Sequence, residues 1–168
     1  PLNYYGKLKL LGEEEIKKNS DYLIIRCTPV GLNMNSNKES FSEWIINSSI
    51  KKTKINLYNN VFFTPISIWK LTSEIMWMID NELDGIYHLS SSTSISKFDF
   101  AIKLCHSLNI SDEYIVSFVK KNIKNKTKRL YNQNLSNVHY VETFHRDLDN
   151  ISNLFKDFKK NYKKKIYK

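Results

Sequence analysis

Apolar positions along the chain follow two alternating patterns, one at helical spacing and one in short runs rich in β-branched residues. Such alternation predicts an α/β protein, helices covering a sheet. Over residues 3–18, Leu8, Leu11 and Ile16 stand among good helix formers, with Asn3 or its predecessor as cap and Asn19-Ser20-Asp21 as the stop. Tyr22-Leu23-Ile24-Ile25 follows as a compact apolar run, which predicts a strand buried on both faces of a parallel sheet. A polar loop over 31–39 separates it from a helix through Phe41, Trp44, Ile45 and Ile46, with Ser40 near its start.

Residues 55–57 and 61–63 read as two short strands flanking an Asn59-Asn60 turn. Pro65 ends the extended stretch. A helix over 67–81 then places Ile68, Leu71, Ile75, Met78 and Ile79 toward the core. Gly85 marks a turn, 86–89 a strand and 90–94 a small-residue loop. Ser96 caps a helix over 97–108, with Asp99 at the third position of a conceivable capping box. Beyond Ser111 the pattern weakens: 112–119 suits a short helix or a strand, 120–129 is strongly basic, and 147–158 resumes an amphipathic helix. Residues 159–165, mostly lysine, read as a frayed, solvated tail.

Composition narrows the class. With 168 residues, 41% of them hydrophobic, the chain can fill one core. No run approaches the length of a transmembrane helix. Cys27 and Cys105 are far apart without CxxC partners, which suits buried thiols in a reducing, cytoplasmic setting. The four histidines lack zinc-ligand spacing, so no metal is expected. The net charge of +9 comes almost entirely from lysine, because arginine occurs only at 26, 129 and 146. A nucleic-acid surface would favour arginines able to make bidentate contacts, so nucleic acid is not an expected partner.

Candidate chemistry lies in the first helix. Tyr5 and Lys9 form a Tyr-x-x-x-Lys pair, and this spacing places both side chains on one face. An ammonium near a phenol favours the phenolate, and such a tyrosine can give a proton to an alkoxide during carbonyl reduction or take it back in reverse. With ten tyrosines and abundant lysine the bare pair is common by chance, so its context matters.

That context, Pro1-Leu2-Asn3-Tyr4-Tyr5-Gly6-Lys7-Leu8-Lys9-Leu10-Leu11-Gly12-Glu13, resembles the active-site helix of extended short-chain dehydrogenase/reductases, most of all the dTDP-4-dehydrorhamnose reductase group. Ile24-Ile25-Arg26-Cys27-Thr28-Pro29-Val30-Gly31 is similar to the family's next strand and substrate-side loop. Ser40-Phe41-Ser42-Glu43-Trp44, Phe63-Thr64-Pro65-Ile66-Ser67, Gly85-Ile86-Tyr87-His88-Leu89 and Ser94-Ile95-Ser96-Lys97-Phe98-Asp99 match later segments. The chain departs from the family's Arg-Thr-Ser-Trp-Val-Tyr-Gly loop, being one residue shorter there, and Leu130 follows Arg129 where the group has Arg-Pro.

The resemblance implies the C-terminal part of a doubly wound, Rossmann-like NAD(P)-binding fold with a small substrate-binding subdomain and without its first βαβ unit. Residues 1–168 would be a single partial domain, with the active-site helix and core strand in 1–30 and mainly the substrate-binding half in 31–168. It further implies reduction of a keto group on a nucleotide-linked deoxysugar by NADPH or NADH. Tyr5 would be the proton donor, and Lys9 would stabilise its phenolate and bind the nicotinamide ribose. Arg26, Cys27, Thr28 and Pro29 would neighbour the nicotinamide, Arg26 being equally readable as a buried arginine satisfied by backbone groups. The alternatives are an epimerase or dehydratase of the same superfamily, a non-catalytic binding protein, or an inactive fragment. The chain's four glycines form no phosphate-binding loop. That, with Pro1 in first place and a packed helix opening at once, predicts a missing N-terminal segment and an uncovered sheet edge without it. A homodimer through the Tyr5/Lys9 helix and the helix after Ser40 is a further expectation from the family.

Overall fold

The computed structural model describes residues 3–33, 38–121, 130–148 and 150–166. The polar loop residues 34–37, most of the basic stretch including Arg129, and the last two residues lie outside them.

Short polar side chains start four of the helices. Asn3 accepts the Gly6 amide at 2.9 Å and opens α1 (Tyr4–Ile16). Ser40 and Glu43 form a reciprocal capping box on α2 (Phe41–Ile50), each side chain accepting the other's backbone N–H. Ser67 caps α3 (Ile68–Asp80) and Ser96 caps α4 (Lys97–Leu108). At α4 the Asp99 carboxylate accepts the Ser96 hydroxyl at 2.6 Å rather than closing a box with the backbone. Two further helices, α5 (Val138–Phe144) and α6 (Ile151–Ile166), complete the set among the described residues.

The strands are β1 (Leu23–Cys27), β2 (Pro29–Val30), β3 (Ile55–Tyr58), β4 (Phe62–Phe63), β5 (Ile66–Ser67), β6 (Gly85–Leu89), β7 (Ile95–Ser96), β8 (Ile115–Phe118) and β9 (Asn132–Gln133). They form short ladders. β1 runs parallel to β6 with Arg26 opposite His88, β2 parallel to β5, and β3 parallel to β8. β4 pairs antiparallel with β7 and parallel with β9. The two runs around Asn59-Asn60 therefore enter different ladders, and 112–119 resolves as a strand because Ile115 packs beneath the helices beside β3.

One core gathers Ile45, Ile46, Phe63, Phe100, Leu104, Leu154 and Phe158 from α2, β4, α4 and α6. Phe100 is its centre, with ring centroids of Phe41, Phe63 and Phe155 within 5.8 Å. A second core joins Ile66, Leu71, Met78, Leu89, Tyr140 and Leu148. Gly31 lets β2 run directly against Ile68, where any β-carbon would collide with the isoleucine side chain. Gly85 enters β6 at φ +106°, a backbone region other residues rarely adopt.

Several sequence expectations need correction. β1 is not buried on both faces: only Ile24 is buried, because β6 is its one strand neighbour among the described residues. α1 forms where expected but has no buried residue, with Leu8, Leu11 and Ile16 at 49%, 64% and 48% exposure. An amphipathic stripe is buried only where another element offers a face, and none of the described elements does so here. Ile68 and Ile79 are exposed on α3, where Glu74 instead takes a core position. The expected frayed tail is helical to Ile166, because Tyr162 continues the stripe of Ile151, Leu154, Phe155 and Phe158 and packs against the first core.

Candidate functional site

Parallel strands of α/β proteins present their ligand sites at their carboxyl ends, and the end of β1 carries Arg26 and Cys27, followed by Thr28 and Pro29, while Tyr5 and Lys9 lie on α1. Tyr5 and Lys9 share one face of α1, both exposed, with the Lys9 Nζ 5.8 Å from the Tyr5 ring centroid. Their polar atoms are thus open to a ligand. Arg26, Cys27 and Thr28 are half-buried at the end of β1, and Pro29 is exposed at the start of β2. Among the described residues no hydrogen bond or ring contact joins Tyr5 or Lys9 to Cys27, Thr28 or Pro29.

What connects the helix to the strand is Glu13, one further turn along the Tyr5/Lys9 face. Its carboxylate accepts two hydrogen bonds from Arg26, Nε at 2.9 Å and Nη2 at 2.5 Å. Arg26 therefore has a carboxylate partner in place of the backbone groups considered above. Its hydrogen bonds hold Glu13 below the usual carboxylate range even though burial pushes the other way. The remaining Arg26 nitrogen, Nη1, lies 3.4 Å from His88 Nε2, and His88 Nδ1 lies 3.1 Å from the Ser136 carbonyl. An arginine can only donate and a carbonyl only accept, so the Nδ1–H tautomer of His88 satisfies both contacts.

Behind this line, Thr64 ties the strand ends together. Its carbonyl accepts the Thr28 hydroxyl at 2.7 Å, and its own hydroxyl accepts the Leu135 amide at 3.0 Å. Ser90 donates to the Leu135 carbonyl, and Asn137 donates to the Ser90 carbonyl, both at 2.9 Å. Segments far apart in sequence thus converge on one hydrogen-bonded floor. Thr64 lies in a segment that resembles the family and Ser90 in a small-residue loop, but nothing local in the sequence marked either as a partner of Leu135. For Glu13, the spacing of four beyond Lys9 was a usable signal.

Two other charged groups are unusual. Glu74 has 1% side-chain exposure and accepts from Tyr140 Oη at 2.7 Å, Arg146 Nε at 2.9 Å and Lys70 Nζ at 2.8 Å. Burial raises its pKa, but the three donors outweigh that and bring it to about 2. Lys97 lies over the Phe63 ring at 3.2 Å, and burial lowers its ammonium to about 8. Both cysteines are free, with thiols pushed up by burial. Among the described residues, no His, Cys, Asp and Glu group gathers as a metal centre, and no helix is long and apolar enough to cross a membrane.

Helix-covered parallel ladders with a polar cluster at their carboxyl ends define an α/β, Rossmann-like protein. The profile of the RmlD substrate binding domain matches residues 1–163, and the chain belongs to that family. The fold is similar to that of dTDP-4-dehydrorhamnose reductase from Bacillus anthracis, solved with NADP, at 21% identity and a TM-score of 0.83 over 94% of this chain and 55% of that one. The corresponding enzyme from Yersinia enterocolitica gives 25% identity and a TM-score of 0.76, over 95% of this chain and 56% of that one. A probable low-salt glycan biosynthesis reductase of Haloferax volcanii is 24% identical over 132 residues, covering 77% of this chain and 44% of the relative. The chain spans about half the length of the relatives it matches.

Proposed function

We propose that this chain is the Tyr/Lys helix and substrate-binding half of an NAD(P)H-dependent reductase acting on a keto group of a nucleotide-linked deoxysugar. The observation that carries the reading is the shared, exposed face of Tyr5 and Lys9 on α1 in a chain of the RmlD substrate binding domain family. Residues 1–30 supply the active-site helix and core strand, and 31–168 mainly the sugar-binding half.

The residues fit a nicotinamide cofactor in part. The hydroxyl of Tyr5 and the ammonium of Lys9 suit a carbonyl and ribose hydroxyls, whereas glycines 6, 12, 31 and 85 make no phosphate loop. The pyrophosphate cradle is assigned to a preceding segment, which would also cover the apolar face of α1. When bound, the cofactor supplies a hydride to the carbonyl carbon. Tyr5 Oη breaks its O–H bond and gives the proton to the carbonyl oxygen, which becomes the alcohol. Lys9 stabilises the phenolate left behind and hydrogen-bonds the ribose, and solvent returns the proton to Tyr5. Cys27, Thr28 and Pro29, at and just beyond the end of β1, would border the nicotinamide.

The test is titration of the intact natural protein with NADH and NADPH, followed by turnover of nucleotide-linked keto sugars. We expect Tyr5→Phe to lower kcat by about 10²–10⁴-fold while cofactor binding persists. Stoichiometric consumption of the reduced cofactor separates reduction from epimerisation. A Tyr5→Phe enzyme with normal turnover, or a natural protein that binds neither cofactor, would sink the reading.

A further inference from the structure

We propose that Glu13, Arg26 and His88 form an anchor that sets the position of the Tyr5/Lys9 helix, Arg26 acting as a positioning residue rather than as a ligand of the cofactor. The inference rests on the functional reading above for its kinetic consequence but on geometry for the anchor itself.

No residue of α1 is buried, so apolar packing among the described residues does not fix the helix. Among the described residues, the side-chain contact that ties α1 to a strand is the Glu13–Arg26 pair. Tyr5, Lys9 and Glu13 stand at successive steps of four, so a force applied at Glu13 acts on the same face that carries the phenol and the ammonium. Arg26 grips Glu13 with two parallel N–H donors, a planar match that resists both rotation and sliding, unlike a lysine point charge. The Glu13 side chain is 18% exposed and that of Arg26 40%, so solvent screens the pair from the arginine side and its value as an anchor lies in its bidentate geometry.

Arg26 is itself held. It faces His88 across the β1–β6 ladder, and Nη1 donates toward the imidazole while Nε and Nη2 serve Glu13. His88 is in turn oriented by the Ser136 carbonyl, beside Leu135 and Asn137, which bind Thr64 and Ser90. The line therefore runs from α1 through both strands into the floor of the site. Each of the three guanidinium nitrogens thus has a protein partner, so Arg26 is oriented by Glu13 and His88 whatever its remaining N–H groups meet.

The experiment compares Glu13→Gln, Arg26→Lys and the charge-swapped pair Glu13→Arg with Arg26→Glu in the intact natural protein. Amide hydrogen exchange over 4–16 reads the anchor, and kcat, KM and nicotinamide affinity read its consequence. Each single variant should speed exchange in α1 by about tenfold without altering β3 and β8. It should also lower kcat by about 10–100-fold with the sugar-nucleotide KM within about twofold. The swapped pair should recover most of both. Unchanged exchange and kcat in the single variants would overturn the proposal, and so would loss of nicotinamide affinity in Arg26→Lys with α1 exchange unchanged, since Arg26 would then be a ligand. If the natural protein binds no nicotinamide cofactor, the reductase reading fails while the exchange measurements still decide the anchor.

Discussion

Glu74 shows how a single residue can override its own preference for water. An ionised carboxylate at 1% exposure is costly alone, and three donors from α3, α5 and the segment after α5 make it tolerable. Its folded pKa of about 2 lies below its ordinary value of 4.5, so the folded state binds fewer protons across that interval. Stability from this group is fully present above about pH 4.5 and is lost as pH falls toward 2, about 3 kcal/mol in all. Glu74→Gln should remove that acid slope and lower stability at pH 7 by about 3 kcal/mol, measured by urea unfolding at several pH values. In the sequence, Glu74 was hidden in an apolar helical stripe: periodicity marks a face as buried but says nothing of the partners that let a charge occupy it.

At the scale of elements, Asn3 and Ser96 were legible as caps and Ser40 as standing near a helix start, because each acts on an amide within three residues, whereas Ser67, read as the first residue of its helix, is its cap. Helix ends were less legible. Lys52, Glu82, Asn109 and His145 all adopt positive φ just beyond helices, in a chain with only four glycines. A side chain there is strained by about 1–2 kcal/mol, partly offset by the backbone entropy that glycine would lose. Glu82→Gly, at φ +51°, should therefore raise stability by up to about 1 kcal/mol, seen as a higher denaturation midpoint with an unchanged slope. Strand pairing could not be read locally. β3 finds β8 across sixty residues of chain, and β4 turns from its sequence neighbour to β7 and β9.

For the whole molecule, the exposed stripe of α1 and the single strand neighbour of β1 among the described residues lie on the part of the chain proposed to meet a preceding segment. If that segment covers the stripe, Leu11→Ser should destabilise the intact natural protein by about 1–2 kcal/mol in urea unfolding. An unchanged stability would mean that Leu11, 64% exposed here, stays in water there too.

By itself the sequence determined the α/β class, most helix starts, the placement of Tyr5 and Lys9 on one helical face, and the family resemblance. These depend on spacing over a few residues, where backbone geometry is the same in any protein. Only the tertiary structure decided that Arg26 would meet Glu13 and His88, that Thr64 would bind Leu135, and that Glu74 would lie inside. Those contacts join segments whose separation in sequence carries no distance information, and their stability comes from desolvated, mutually satisfied polar groups that exist only once the chain has closed around them.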